Sequence, residues 1–87
     1  MRIGHFDIVT IKTDRPGQLL NVTNTRQVAE LLTGPWPAQF RGKTYASAMK
    51  ACMDHMEGKK SAEAVRKAFI DAAKDARLFI GEGKHGA

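Results

Sequence analysis

The sequence predicts an α+β domain in which an N-terminal β-hairpin and a short C-terminal strand pack against three helices. Three observations predict it. Residues 5–12, HFDIVTIK, place β-branched side chains at Ile8, Val9, Thr10 and Ile11, the composition of a strand. Residues 44–57 and 61–76 repeat apolar side chains every three or four positions, the period of an amphipathic helix. Clusters of Pro, Gly and Asp at residues 13–17 and 34–37 punctuate the chain between these stretches.

In the first strand, Phe6, Ile8 and Thr10 are expected on one face and Asp7, Val9 and Ile11 on the other. Apolar residues on both faces predict a strand that is central or covered on both sides. Thr13, Asp14, Arg15, Pro16 and Gly17 supply turn chemistry, with Pro16 fixing its own φ and Gly17 free to take positive φ. The chain then returns along a second, less strongly patterned arm over residues 18–22. One of Thr23, Asn24 and Thr25 caps a helix through about Leu32, with Val28, Leu31 and Leu32 facing inward. Gly34 ends it, and Pro35 and Pro37 forbid its continuation while restricting Trp36, whose large surface can close one end of the core.

Thr44 is the expected cap of the second helix, which ends near Glu57 with Gly58 as a left-handed terminator. Its apolar face is predicted to be Tyr45, Ala48, Met49, Cys52 and Met56, with Met53 at the edge. The short connector Gly58, Lys59, Lys60 makes this helix an antiparallel neighbour of the next. Residues 61–76 carry the clearest helix signal of the chain. Ser61 can cap it, Glu63 suits its first turn and lies four residues before Lys67, and Val65, Phe69, Ala72 and Ala76 form a stripe flanked by Ala62 and Ala73. Arg77, Leu78, Phe79 and Ile80 could be the helix's last turn, but a third strand beside the hairpin buries their apolar side chains better. Residues 81–87 hold no packing residue before Ala87 and are expected to be a mobile tail beyond a single domain of residues 1–80.

Composition restricts the class of protein. A chain of 87 residues forms one small core, burying only about 60–65% of its unfolded surface, so help from a partner subunit is plausible. With 43% hydrophobic and 26% charged residues, it reads as an ordinary globular chain. Neither a membrane-spanning run nor a basic-then-apolar leader is visible, which places the chain in the cytoplasm by default. Cys52, the single cysteine, permits no internal disulfide and no cysteine metal cage. The net charge of +5 is concentrated in residues 34–60, where Arg41, Lys43, Lys50, Lys59 and Lys60 face only Asp54 and Glu57. No aromatic residues alternate with these bases, so a solvated, solubilising face is the simpler reading.

Several of these features occur together in one family. Leu31 and Leu32, Trp36 and Pro37, Tyr45 with Ala48 and Cys52, Gly58, and above all residues 64–76 with Arg66, Lys67, Ala68, Phe69, Ile70, Ala72 and Ala73 resemble the small alphaproteobacterial (rhizobial) domain-of-unknown-function family 982. The resemblance covers nearly the whole chain, and its specificity lies in the order and spacing of individually weak motifs. Val65 stands where members often have alanine, and Met56 where they often have leucine; both keep an apolar residue. The resemblance implies a compact domain of strands followed by helices, and no activity.

Candidate chemistry is sparse. Cys52 lies past the middle of its helix on the apolar face, where a thiol behaves as a small hydrophobe rather than a nucleophile. His5, His55 and His85 show no metal-ligand spacing. Asp71 and Asp75 share an exposed face with Lys67 and Lys74 as neighbours, a charge-balanced surface. Arg66 sits beside the apolar stripe, where its stem can cover the core while its head pairs with a carboxylate such as Asp7 or Glu30. Alternatively, Arg66 and Lys67 contact an anion or a partner, as an exposed Trp36 would. The leading expectation is therefore a non-enzymatic interaction or accessory domain, without cofactor or metal, whose partner is an unidentified protein or a second copy. The alternative is a small basic nucleic-acid-binding or regulatory protein using Arg41, Lys43, Lys50, Lys59 and Lys60.

Overall fold

Strand β1, His5–Lys12, is the centre of a three-stranded antiparallel sheet, flanked by β2, Leu19–Asn24, and β3, Phe79–Glu82. Helices α1, Thr25–Thr33, α2, Lys43–Met56, and α3, Ala62–Asp75, complete the α+β architecture, with a short 3-10 turn at Ala38–Phe40. The computed structural model describes residues 4–13 and 15–83.

The hairpin closes through Thr13, whose N–H donates to the Gln18 carbonyl at 3.2 Å and whose hydroxyl accepts from the Arg15 N–H at 3.2 Å. Gly17 takes φ +77° in this turn; Asp14, the other predicted turn residue, lies outside the described residues. Pairing runs from Lys12 with Leu19 to His5 with Asn24, but the register shifts between His5 and Val9. That irregularity changes the predicted faces. Phe6, Val9 and Ile11 are all buried, although Phe6 and Val9 are an odd number of residues apart. Strict alternation would have opposed them, whereas a bulge turns the strand between them and sends all three to the core.

Asn24 is the cap of α1: its side chain accepts from the Gln27 N–H at 2.9 Å, while the Gln27 side chain reaches back to the Thr23 N–H at 2.7 Å. Val28 and Leu32 are fully buried and Leu31 partly so. For α2, the expected cap is replaced. Gly42 occupies the cap position without a side-chain bond, and Thr44 lies inside the first turn, donating to Asp75 Oδ2 at 2.8 Å. This bond ties the start of α2 to the end of α3, and residues 57–61 join their opposite ends, so the two helices are antiparallel. Ala48, Ala51, Cys52 and His55 form the buried stripe of α2. Met53 and Met56 are 56% and 44% exposed, so Met56 leaves the predicted face. Small side chains occupy the line of closest approach to the alanines of α3, and the long methionines fall to its margin.

Gly58, at φ +79°, terminates α2 as predicted: its N–H bonds to the His55 carbonyl, and the Lys59 N–H to the Asp54 carbonyl. Ser61 caps α3 through its Oγ, which accepts from the Ala64 N–H at 3.2 Å. Val65, Phe69, Ala72, Ala73 and Ala76 are buried together with Ile70. The same terminating bonds recur after α3, where Arg77 takes the left-handed conformation at φ +60° and Leu78 N–H bonds to the Ala73 carbonyl. The chain then enters β3, the predicted third strand, displaced by two residues. Gly81 and Glu82 belong to the sheet rather than to a tail, and Gly83 N–H still bonds to the Ile8 carbonyl at 2.9 Å. Residues 84–87 of the predicted tail lie outside the described residues. Thr10 pairs with Gly81 and Ile11 with Phe79, which leaves Ile80 as the extra residue of a bulge, 45% exposed instead of buried. Among the described residues, no helix is long and apolar enough to cross a membrane.

Candidate functional site

The loop after α1 is held from two directions. Arg41 donates to the Trp36 carbonyl through Nε (3.3 Å) and Nη2 (3.1 Å), and to the Gly34 carbonyl through Nη2 (3.2 Å). Its guanidinium lies 5.5 Å from the centroid of the Tyr45 ring, whose hydroxyl donates to the Leu32 carbonyl at 2.6 Å. Peptide carbonyls left unpaired by the end of α1 and by two prolines are thus satisfied by side chains of the following segment. Trp36 itself is buried, its ring 5.8 Å from that of Phe69 at 54°, a tilted aromatic contact. It closes one end of the core, the structural role its flanking prolines suggested.

Outside this plug lies an apolar groove of about 300 Å³. Ile11 and Leu20 from the hairpin, Leu31 from α1, Pro35, Trp36 and Pro37 from the loop, and Leu78 from the entry to β3 form its walls; Lys12, Thr13, Gln18 and Leu19 complete the hairpin end. Leu19 is 54% exposed. None of these apolar residues except Trp36 stood out in the sequence as a site residue. One signal was available: Leu19 and Leu20 are consecutive in a strand whose faces alternate, so they cannot both enter the core.

Arg66 occupies a second, polar hollow, lined by Asp7, Arg66, Glu82 and Gly83. Its side chain is only 13% exposed and pairs with Glu63 Oε2 at 2.8 Å and with Glu82 Oε1. The expected pairing with a carboxylate is present with different partners: Glu30 pairs with Arg26 instead, and Asp7 shares the hollow. With carboxylates already around it, Arg66 has little attraction left for an anion. Lys67 is exposed on the opposite side of the helix from the core.

The basic residues of segment 34–60 do not form one surface of free charge. Lys50 pairs with Asp54, Lys59 with Glu57, and Lys60 approaches Asp54 at 4.0 Å, while Arg41 is committed to loop carbonyls. Lys43 is exposed at the first turn of α2.

Cys52 is buried, and desolvation raises its thiol pKa from 9.0 to about 11. At pH 8 the folded protein therefore holds about 100-fold less thiolate than the unfolded chain, and a thiol-reactive dye is expected to label it slower by about that factor. Labelling of the native protein at the denatured rate would contradict this burial. The same shift makes Cys52 a stability contribution that is complete below pH 9 and is lost as pH rises toward 11, because the native state keeps its proton longer. His55 is also buried, with Nδ1 2.9 Å from the Lys60 carbonyl oxygen, which makes Nδ1 the hydrogen-bearing nitrogen and anchors the α2–α3 connector. Among the described residues, no group of three or more His, Cys, Asp or Glu side chains could hold a metal ion.

No curated protein and no solved structure matches this chain significantly. A family model does match, over residues 8–80, from the central strand through the groove loop to β3. The chain therefore belongs to the family described as "Protein of unknown function (DUF982)".

Proposed function

We propose that this domain is a non-enzymatic interaction module that accepts an apolar segment of a partner protein in the groove beside Trp36. One observation carries the reading: an apolar recess of about 300 Å³ opens beside Leu19, a large hydrophobic side chain that is more than half exposed. Recesses of this size and lining are typical of ligand and side-chain pockets. Its loop wall is preformed, because Trp36 is packed on Phe69 and its carbonyl is clamped by Arg41. Such a wall lowers the ordering cost of binding. A reaction has no comparable support, since the one thiol is buried and protonated and Arg66 is neutralised by carboxylates.

A random-peptide display selection against the domain tests this reading. Enriched peptides are expected to carry large apolar side chains and to lose at least about tenfold in affinity to a Leu31→Glu variant, which places a charge in the groove wall. Leu31 is only partly buried, so the variant is expected to remain folded, which circular dichroism and thermal unfolding check. Selected peptides that bind both forms equally, or a selection that enriches none, would refute the module. Random duplex DNA is expected to show no retention by the domain at about 150 mM salt, where weak phosphate contacts are screened.

A further inference from the structure

Resting on the groove reading, we infer that the segment it accepts is an extended, acidic strand that adds to the free edge of β2 and lays one apolar side chain in the groove. The hydrogen-bond parity of the sheet identifies the open groups. Thr13 N–H bonds to the Gln18 carbonyl across the hairpin, whereas Lys12 N–H bonds to Leu78 and Gly83 N–H to the Ile8 carbonyl, on the β3 side. In an antiparallel ladder these directions alternate, so Leu20 and Val22 bond to β1 while Leu19, Asn21 and Thr23 turn their backbone groups outward. Thr23 N–H is taken by the Gln27 side chain. Leu19 and Asn21 are exposed, and among the described residues their outward N–H groups have no partner. The edge is thus open beside the groove and closed beyond it.

The two edges of the sheet are not equivalent. Natural edge strands are guarded by charges, prolines, bulges or short length. β3 has only four residues, a bulge at Ile80 and the Glu82 pair with Arg66. β2, LLNVTN, has neither charge nor proline, and its pairing with β1 is regular from Lys12 to Val9. An unguarded strand beside a preformed apolar recess is the arrangement by which a sheet accepts an added strand, with main-chain bonds holding it and alternate side chains reading the pocket.

Charge selects the sequence of that strand. Lys12 lines the groove, Arg15 sits in the turn whose carbonyl bonds Gln18, and Arg41 lies over the Gly34 and Trp36 carbonyls. None of the three forms an ion pair among the described residues, in contrast to Arg26, Lys50, Lys59 and Arg66, each of which faces a carboxylate. Lys12 in the groove and Arg15 in the adjoining turn, cations without an ion pair among the described residues, are complementary to a hydrophobic side chain flanked by carboxylates, whereas the Arg41 guanidinium is held by the loop carbonyls.

Fluorescence anisotropy with three dye-labelled peptides tests the inference: valine and glutamate alternating around a central phenylalanine, the same peptide with lysine for glutamate, and the acidic peptide N-methylated at alternate amides. The acidic peptide is expected to bind at least about tenfold more tightly than either control, since each control removes charge pairing or main-chain bonds. Asn21→Pro, which deletes the outward N–H together with the Asn21 Oδ1 that accepts from the Thr10 hydroxyl at 2.8 Å, and which is tolerated on an edge, is expected to weaken binding at least about fivefold. If that variant fails to fold, the N-methylated peptide decides the same point. Equal binding of the lysine or N-methylated peptide, with binding still lost in Leu31→Glu, would overturn the acidic strand and leave the module standing. Absence of any Leu31-dependent peptide, display-selected ones included, would overturn both. A β2-to-β2 dimer of this chain in light scattering, abolished by Asn21→Pro, would show that a second copy occupies the edge and would likewise overturn the inference.

Discussion

Phe69→Ala is expected to remove about 3–5 kcal/mol of stability, the range for deleting a fully buried aromatic ring. Against a total of about 4–13 kcal/mol for a domain of this length, that removes about a quarter or more of the stability and, at the low end of the range, leaves a large fraction of the chain unfolded. Phe69 has no solvent exposure and sits where α3 meets Trp36, so its loss opens a cavity in the core beside that ring. Few neighbours can collapse into it, because Trp36 is fixed by flanking prolines and by Arg41, and the buried α3 residues one turn on, Ala72 and Ala73, are too small to fill it. Urea unfolding measures the loss, and the emission of Trp36, the single tryptophan, reports whether the plug loosens. Phe69→Leu should cost about 1.5 kcal/mol or less, being closer in volume. A Phe69→Ala variant within about 1 kcal/mol of the parent would contradict the placement of this ring at the centre of the core.

The second large effect is expected at the start of the sheet. Gly4 has φ +68°, and its carbonyl accepts from the Thr25 N–H at 3.0 Å, fastening the entry of β1 to the first turn of α1. A Cβ there would stand 2.2 Å from His55 Nε2 and 2.7 Å from Thr25 Oγ1. Both neighbours are buried and held, Thr25 by its own backbone bond and His55 by the Lys60 carbonyl. Gly4→Ala therefore combines left-handed backbone strain of about 1 kcal/mol with overpacking of about 1–3 kcal/mol, for a loss near 3 kcal/mol in denaturant unfolding. Since the tightest clash is with the His55 imidazole, Gly4→Ala and His55→Ala together should cost less than the sum of the two single changes, by about 1 kcal/mol or more. Additive losses would place the strain in the backbone and at Thr25 rather than at the imidazole.

The functional proposals draw on the same architecture. The groove owes its walls to Trp36, and Trp36 owes its position to Phe69, so Phe69→Leu offers a way to soften the pocket without entering it. The open edge exists because β2 leads directly into α1, whose Gln27 covers Thr23 but cannot reach Asn21 or Leu19.

Features governed by bonds between near neighbours were legible in the sequence. The Ser61 cap, the Gly58 terminator, the Thr13 turn and the apolar stripe of α3 each depend on groups a few residues apart, so local residue types were sufficient evidence. Arg66 was legible as a paired arginine for the same reason, since its stem had to cross an apolar stripe. Its long-range partner was not, because Glu82 is brought to it by β3, and the sequence alone does not say where a four-residue strand ends; its local partner, Glu63, was masked by the equally good spacing of Glu63 to Lys67. Likewise, Thr44 has the chemistry of a cap, yet α2 begins one residue before it, after Gly42, and its hydroxyl donates instead to Asp75 from the end of α3. Met56 and Cys52 are equally apolar in a helical pattern, and only the approach of α3 decides which is covered. The bulges that bury Phe6 with Val9 and expel Ile80 arise from fitting β1 to two neighbours at once. The groove is the furthest from the sequence of all: its walls come from residues 11–13, 18–20, 31, 35–37 and 78. By itself, then, the sequence determined the elements, their caps and the α+β class, which follow from short-range hydrogen bonding and periodic hydrophobicity. Tertiary structure decided register, helix rotation, ion-pair partners and the recess beside Trp36, because each is set by the free energy of burying surfaces that meet only after the chain has folded.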